Sequence, residues 1–259
     1  MQRTRPGPEA AAPISIRLLE DRPDLERAID LLGSIWGEDP EPIVSMGIMQ
    51  AFAHFGDPVI GAFSGKELCG VSIGFLAASS PAGAGGIHLH SHITGVAPEL
   101  QHLGIGFGLK LAQRDWCIEH GIDEVTWTFD PLLARNAHFN IRKLGACSWR
   151  LLPDFYGEMV DDLNRGDLSD RLEVHWAVTS DRVRDAIDGV LAVGPVEQTI
   201  EIPRDYHSLR ATDPTEARRW RLDVRARLLD AFADGLVIVD FDRGGYRLAP
   251  DMARNASSS

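Results

Sequence analysis

Hydrophobic and polar residues alternate along this chain with two periods, and the switches between them mark out strands and helices. A weak two-residue alternation over 14–19 predicts a first strand. Behind Asp21, a good N-cap type, Leu25, Ala28, Ile29, Leu32, Ile35 and Trp36 repeat at helical spacing, so a helix follows. Pro40 and Pro42 interrupt the chain before a second helix, expected over 43–55. Residues 59–63 and 68–77 flank Ser64-Gly65-Lys66 and read as a β-hairpin.

The stretch 79–86, rich in Ser, Gly and Ala, is expected to be a mobile loop. Residues 87–96 alternate strictly and predict a strand, which runs through a glycine-bearing turn into a helical pattern reaching His120. Over 123–130 Val125, Trp127 and Phe129 share one face and Thr126, Thr128 and Asp130 the other, a strand expected to lie parallel to the central one. A short helix over 134–144 is stopped by Gly145, and strands are expected near 147–152 and 172–178. The last third predicts a short helix over 182–189, an extended segment over 195–203, and an amphipathic helix N-capped by Asp213 with Ala217, Trp220, Val224, Leu228, Leu229 and Phe232 on its apolar side. Residues 236–241 then form a strand that turns at Arg243-Gly244-Gly245 and returns over 246–248. The chain has no internal repeat.

The most informative segment is Gly95-Val96-Ala97-Pro98-Glu99-Leu100-Gln101-His102-Leu103-Gly104-Ile105-Gly106. It places a strand, a glycine turn and a helix start in succession. Helix N-termini leave backbone N–H groups unpaired and carry a partial positive charge, so an anion is stabilised there. Glycines at 104 and 106 let a diphosphate approach the main chain. The spacing Gln-x-x-Gly-x-Gly is neither the dinucleotide fingerprint nor a Walker loop.

That turn resembles motif A of the GNAT acyltransferase superfamily, in which a Gln/Arg-x-x-Gly-x-Gly/Ala segment holds the pyrophosphate of acetyl-CoA. Lys143-Leu144-Gly145-Ala146 resembles the end of motif B. The segments Trp127-Thr128-Phe129-Asp130-Pro131-Leu132, Ala134-Arg135-Asn136-Ala137-His138-Phe139-Asn140 and Asp154-Phe155-Tyr156-Gly157 are similar to a bacterial branch of that superfamily. The resemblance covers 14–180 well. It implies an α/β (α+β) fold: a mixed, mostly antiparallel twisted sheet with a central splayed parallel strand pair, helices on both faces, and a C-terminal helix–strand addition. The expected organisation is a disordered leader over 1–13, an acyl-CoA-binding core over 14–180, and an addition over 181–259 packed on the core.

Composition limits the partners. Hydrophobic residues make up 44% and charged residues 25%, a soluble globular balance. The formal charge of -12 argues against nucleic acid and anionic membranes, whose recognition needs clustered Lys and Arg, and suits a cationic amine. Apolar runs are too short for a membrane span, and no secretory signal is read at the start. Three widely spaced cysteines, Cys69, Cys117 and Cys147, fit a reducing, cytoplasmic setting.

The resemblance implies that coenzyme A lies with its pantetheine arm between 93–96 and 126–130. Thr94, Gly95 and Val96 then hold the arm, and the amides of Gln101, His102, Leu103, Gly104, Ile105 and Gly106 hold the diphosphate. Asn136, Asn140 and Lys143 are further contacts, and Lys110, Arg135 and Arg142 join Lys143 as candidates for the charged end of the nucleotide.

Acyl transfer to an amine needs a proton acceptor and a proton for the departing thiolate. His88, His90 and His92 alternate on the central strand and so share one face, nominally with Thr94 and Val96 unless a bulge intervenes. His90 or His92 is the candidate base. Where many GNAT enzymes carry a motif B tyrosine this chain has Ile141; Tyr156 is a candidate acid, with another acid or water as the alternatives.

The function expected is acetyl-CoA-dependent (or another acyl-CoA-dependent) N-acyl transfer to a small amine in a ternary complex, with no metal. Two alternatives stand beside it: a noncatalytic acyl-CoA sensor or scaffold, and a metal-dependent hydrolase using the histidine strand with Asp130. The C-terminal strand pair offers an edge for a homodimer.

Overall fold

The structure is a computed structural model that describes residues 13–36, 44–78, 86–157 and 166–250. The expected leader, the Pro40–Pro42 break and nearly all of the 79–86 loop lie outside these residues. The chain forms two compact units, one of residues 1–76 and 91–116, the other of residues 77–90 and 117–259.

In the first unit, β1 (Ile14–Leu18) pairs antiparallel with β2 (Val59–Ser64), β2 pairs antiparallel with β3 (Glu67–Ala78), and β3 neighbours β4 (Ile87–Val96). Strand β2 reads as a continuous apolar run because both its faces are covered. Val59 and Phe63 enter a cluster with Leu25, Ala28 and Leu32 of α1 (Arg22–Trp36) and Met49 of α2 (Met46–Phe55). Ile60 and Ala62 point the other way, to Ile105 and Leu109 of α3 (Ile105–Glu119). Asp21 caps α1 as its type suggests, accepting from the Asp24 amide at 2.9 Å. Helix α2 starts at Met46, later than expected, because Ser45 takes the N-cap and accepts from the Ile48 amide.

In the second unit the strand order is β4, β5 (Glu124–Phe129), β7 (Arg171–Ala177), β6 (Cys147–Leu152), β9 (Leu236–Asp242), β10 (Gly245–Pro250) and β8 (Gln198–Glu201). Strand β4 pairs with β5 in parallel, and every other pair with a recorded register is antiparallel. The expected mixed, mostly antiparallel architecture is the one observed. The expected C-terminal edge is corrected. Strands β9 and β10 are hydrogen-bonded on both sides, through Ser148↔Ile238 and through β8, so the edge is β8.

Motif B also departs from a regular helix. After α4 (Ala134–Ala137) the chain widens into a π-helix, His138–Lys143, closed by Leu144 N–H to Phe139 at 3.0 Å. The remaining helices are α5 (Asp181–Ile187), α6 (Tyr206–Thr212), which periodicity missed, and α7 (Pro214–Ala233). Asp213 caps α7 by accepting from the Glu216 amide at 3.0 Å.

Helix α7 carries a buried cation. Arg221 is 1% exposed and forks onto Asp130, at the end of β5, at 2.6 and 2.8 Å, and onto Asp167 at 2.6 Å. Burial alone would raise the Asp167 carboxyl, but the hydrogen bond and charge of Arg221 outweigh it and hold it below the usual range. One turn on, Arg225 Nε donates to Asp170 at 2.9 Å.

A second polar cluster sits on the sheet. His175 Nδ1 lies 2.6 Å from Glu124 and Nε2 3.3 Å from Glu173, with Trp149 stacked on the ring at 3.8 Å. Burial opposes its protonation, yet the hydrogen bonds and charges of the two glutamates prevail and its pKa is raised.

Two outcomes are expected. Arg221→Met leaves two buried carboxylates without their cation and costs about 3–5 kcal/mol in urea unfolding. The His175 pKa is raised on folding, so its contribution is complete below the ordinary histidine value of 6.5 and is lost as pH rises through the folded value. Stability measured upward from pH 6.5 therefore declines more in the native chain than in His175→Gln; equal slopes would remove the imidazolium from the balance.

Candidate active site

The path from β4 to α3 is held by one bond to β3 and wound by short-range hydrogen bonds after it. The Ala97 amide donates to Cys69 at 2.9 Å, Leu100 to Ala97 at 2.9 Å and Leu103 to Leu100 at 3.2 Å, while Gln101 Nε2 returns to the Val96 carbonyl at 3.3 Å. Gly104 then takes φ +77°, a left-handed conformation that costs a residue with a Cβ about 1 kcal/mol, and its carbonyl receives the Gly108 amide at 3.0 Å.

Among the described residues, the amides of Gly104, Ile105 and Gly106 make no hydrogen bond to the chain. A Cβ on Gly104 would meet nothing within 4 Å, and one on Gly106 only Val96 at 3.7 Å. Internal packing therefore does not require the small size of either glycine, and three amides without a partner among the described residues open the helix. This is the geometry of an anion cradle. His102 and Leu103 are exposed beside it. Gly95 is different, because a Cβ there would lie 2.8 Å from Ile35 and Trp36, so its glycine lets α1 close on the strand.

Strand β4 does not alternate simply. Ser91 meets Lys110 of α3, and Val96 packs with Ile105 and Leu109 of α3. On the other face, His92 lies 5.9 Å from the Phe75 ring, itself stacked on Phe52 of α2, and the next residue, Ile93, packs in the α1–α2 cluster. Two consecutive side chains on one face are the signature of an extra residue in the strand. Thr94 therefore turns to the α3 side, where its hydroxyl meets Ser72 Oγ at 2.9 Å, and Gly95 returns to α1. This corrects the nominal grouping of Thr94 and Val96 with the imidazoles.

Helix α3 braces this irregularity from below. Lys110 Nζ donates to Ser91 Oγ at 2.7 Å and to Gln113 Oε1 at 3.3 Å, and Gln113 Nε2 donates to Ser72 Oγ at 3.4 Å, which carries the chain on to Thr94. Lys110, read from sequence as a nucleotide contact, is 4% exposed and engaged here. The clue was available in the pattern: Gln113 falls four residues after Leu109 on the apolar stripe of α3, where a polar residue must find partners.

The three histidines differ in surroundings. His88 is buried, and among the described residues its Nδ1 has no hydrogen-bond partner. His90 is half-buried, with Nδ1 3.4 Å from Thr126 Oγ1. His92 has the most exposed surface of the three, yet its neighbours remove enough water from the ring to pull its pKa below 6.5.

Tyr156 reaches the same face of β5 as His90. Its hydroxyl lies 3.4 Å from Thr128 Oγ1, and Thr128 stands two residues along from Thr126. The turn that carries it is fastened by Tyr156 N–H to Ser169 Oγ at 2.9 Å and by Asp154 N–H to Asp170 at 3.0 Å, and Asp170 is the carboxylate held by Arg225. Sequence reading had no access to this bracing, since its partners lie 16 and 55 positions apart.

Of the motif B candidates, Asn140 is buried in the π-turn and its Oδ1 accepts from Trp127 Nε1 at 3.2 Å, so that oxygen serves the interior. Asn136 is half-buried, Lys143 and Arg135 are exposed, and Arg142 pairs with Asp240 at 3.4 Å. Asp130 has both oxygens on Arg221 and one also on the Leu132 amide, so it is not available to the histidines as a metal ligand.

Gln113→Ala removes the link between Lys110 and Ser72. It is expected to cost about 1–3 kcal/mol in denaturant unfolding and to move the NMR titration of His92 toward pH 6.5 as the strand relaxes. An unchanged titration would show that α3 does not set the position of His92.

No protein-family model matches the sequence, and no curated protein matches it. Several solved structures are similar in fold. The NatC complex bound to Gag peptide and CoA superposes with a TM-score of 0.51 at 14% identity, over 64% of this chain and 99% of that one. Naa20 of Chaetomium thermophilum, in complex with a bisubstrate analogue, gives 0.50 at 20% identity over 67% and 91%. Ard1 from Thermoplasma volcanium gives 0.50 at 14% identity over 64% and 99%. Taken with the glycine turn, the parallel strand pair and the strand order described above, these likenesses establish that the chain has the GNAT acetyltransferase fold.

Proposed function

We propose that the protein is an acyl-CoA-dependent N-acyltransferase, with acetyl-CoA as donor and a small amine as acceptor, working by direct transfer. The observation that carries this reading is the row of unengaged amides at Gly104, Ile105 and Gly106 opening α3, in front of two glycines whose Cβ positions are open. These donors suit a diphosphate, and the bound thioester supplies the activated acyl group.

The ladder between β4 and β5 consists of Leu89↔Val125 and His90↔Thr126, which leaves the main chain of β4 beyond His90 to take the pantetheine amides as an added strand. Thr94, Gly95 and Val96 contribute through their backbone in this reading, since the Val96 side chain is committed to packing, the Thr94 hydroxyl to Ser72, and Gly95 has no side chain.

His92, with His90 next along the face, takes the proton as the amine nitrogen bonds to the acyl carbon. A depressed pKa keeps the His92 ring neutral and able to accept at neutral pH. As the carbon–sulfur bond breaks, the departing thiolate takes a proton from water.

Calorimetry is expected to show saturable binding of acetyl-CoA, and a bulky residue in place of Gly106 to abolish it. His92→Ala is expected to lower turnover about 10²-fold while leaving acetyl-CoA affinity within twofold. In the native chain the rising limb of kcat/KM falls below pH 6.5, and it disappears in that variant. Undiminished turnover would exclude His92 as the base.

A further inference from the structure

Helix α2 has two faces of different character. Met49 is fully buried, and Met46 and Ala53 pack against the same cluster. Ile48, Phe52 and Phe55, spaced i, i+4 and i+7, form a second apolar stripe, of which only Phe52 is partly packed against this core. Ile48 is 51% exposed and Phe55 81%, and Phe52 sits half-buried between them. No Asp, Glu, Lys or Arg occurs anywhere in the helix. A short uncharged helix with large side chains left in water is the form a ligand wall takes.

The stripe leads to the candidate base. Phe52 stacks on Phe75 with ring centroids 5.5 Å apart and planes 18° apart, and Phe75 lies 5.9 Å from His92. Three side chains are too few to seat a second copy of the chain, which needs about 800 Å² per partner. An anionic bilayer is repelled by the net charge of -12, which instead favours an ammonium ligand. The helix supplies no carboxylate, and Asp57 just beyond it is engaged by the Leu76 amide at 3.0 Å, so a polyamine is a poor fit, whereas aromatic faces accept one flat apolar body and one cation.

We propose that the acceptor is a primary amine carried on an aromatic or similarly flat apolar body, which lies along Ile48, Phe52 and Phe55 and delivers its nitrogen past Phe75 to His92. This rests on the acyltransferase reading of the same centre and names its substrate class.

The test uses the full chain with 2-phenylethylamine, ethanolamine and spermidine as probes, following thiol release from acetyl-CoA. The expected kcat/KM for 2-phenylethylamine exceeds that of the other two by about tenfold or more. Phe55→Ser, at an exposed position, raises the KM for 2-phenylethylamine about fivefold and leaves the acetyl-CoA KM unchanged; Phe52→Leu does the same while keeping the core filled. Preference for spermidine, no change in KM with Phe55→Ser, or a concentration-dependent dimer that Phe55→Ser dissolves would each overturn the proposal. Titration of the coenzyme-free protein with 2-phenylethylamine separates the two readings. Failure of acetyl-CoA to bind ends the acyltransferase assignment, whereas absence of saturable, Phe55-dependent amine binding ends the proposed wall.

Discussion

A guanidinium sealed inside the second unit is the constraint on which its candidate chemistry depends. Arg221 brings together the end of β5, through Asp130, and the approach to β7, through Asp167, while Tyr206 donates to that same Asp167 at 2.8 Å. Desolvating a cation costs several kcal/mol, and here two carboxylates with near-ideal geometry offset it. The ion cluster admits little alternative packing, because any shift of one element strands a buried charge. Arg225 extends the same helical face to Asp170 and through it to the turn bearing Tyr156. The C-terminal third thus holds the Tyr156 phenol against β5 from a distance.

The first unit solves a related problem with neutral partners. Strand β4 carries one residue too many for regular pairing, and Lys110 with Gln113 tie down the side chains at both ends of the irregularity. A strand held only by its ladder would relax such a bulge toward regular register. Side-chain bonds from α3 to Ser91 and Ser72 make it a fixed feature, and the imidazole of His92 faces the aromatic rings of α2 and β3 as a result. The helix whose first turn leaves amides without a partner among the described residues is therefore the helix that braces the strand carrying His92.

Function in this fold resides in what is grafted on it. The fold itself tolerates wide change in sequence, as the similar solved structures at 14–20% identity show. What is individual in this chain is a segment 134–143 without a phenol, a tyrosine in the turn after β6, and a helix α2 without Asp, Glu, Lys or Arg.

Local pattern was enough for the strand–turn–helix cradle, since alternation, proline and glycine act over a few residues and the start of α3 follows from them. The same holds for the capped helices behind Asp21 and Asp213 and for the histidine row on β4. Tertiary structure decided what depends on partners far apart in the chain. Lys110 became a brace rather than a phosphate contact, Asp130 an anchor for Arg221 rather than a metal ligand, and β8 rather than the last hairpin became the edge. The bulge that separates Thr94 from the imidazoles belongs to the same class, because alternation along a strand carries no record of the helix beneath it. Periodicity reports which face a residue occupies, whereas a buried charge or amide takes its role from the partner that folding brings to it.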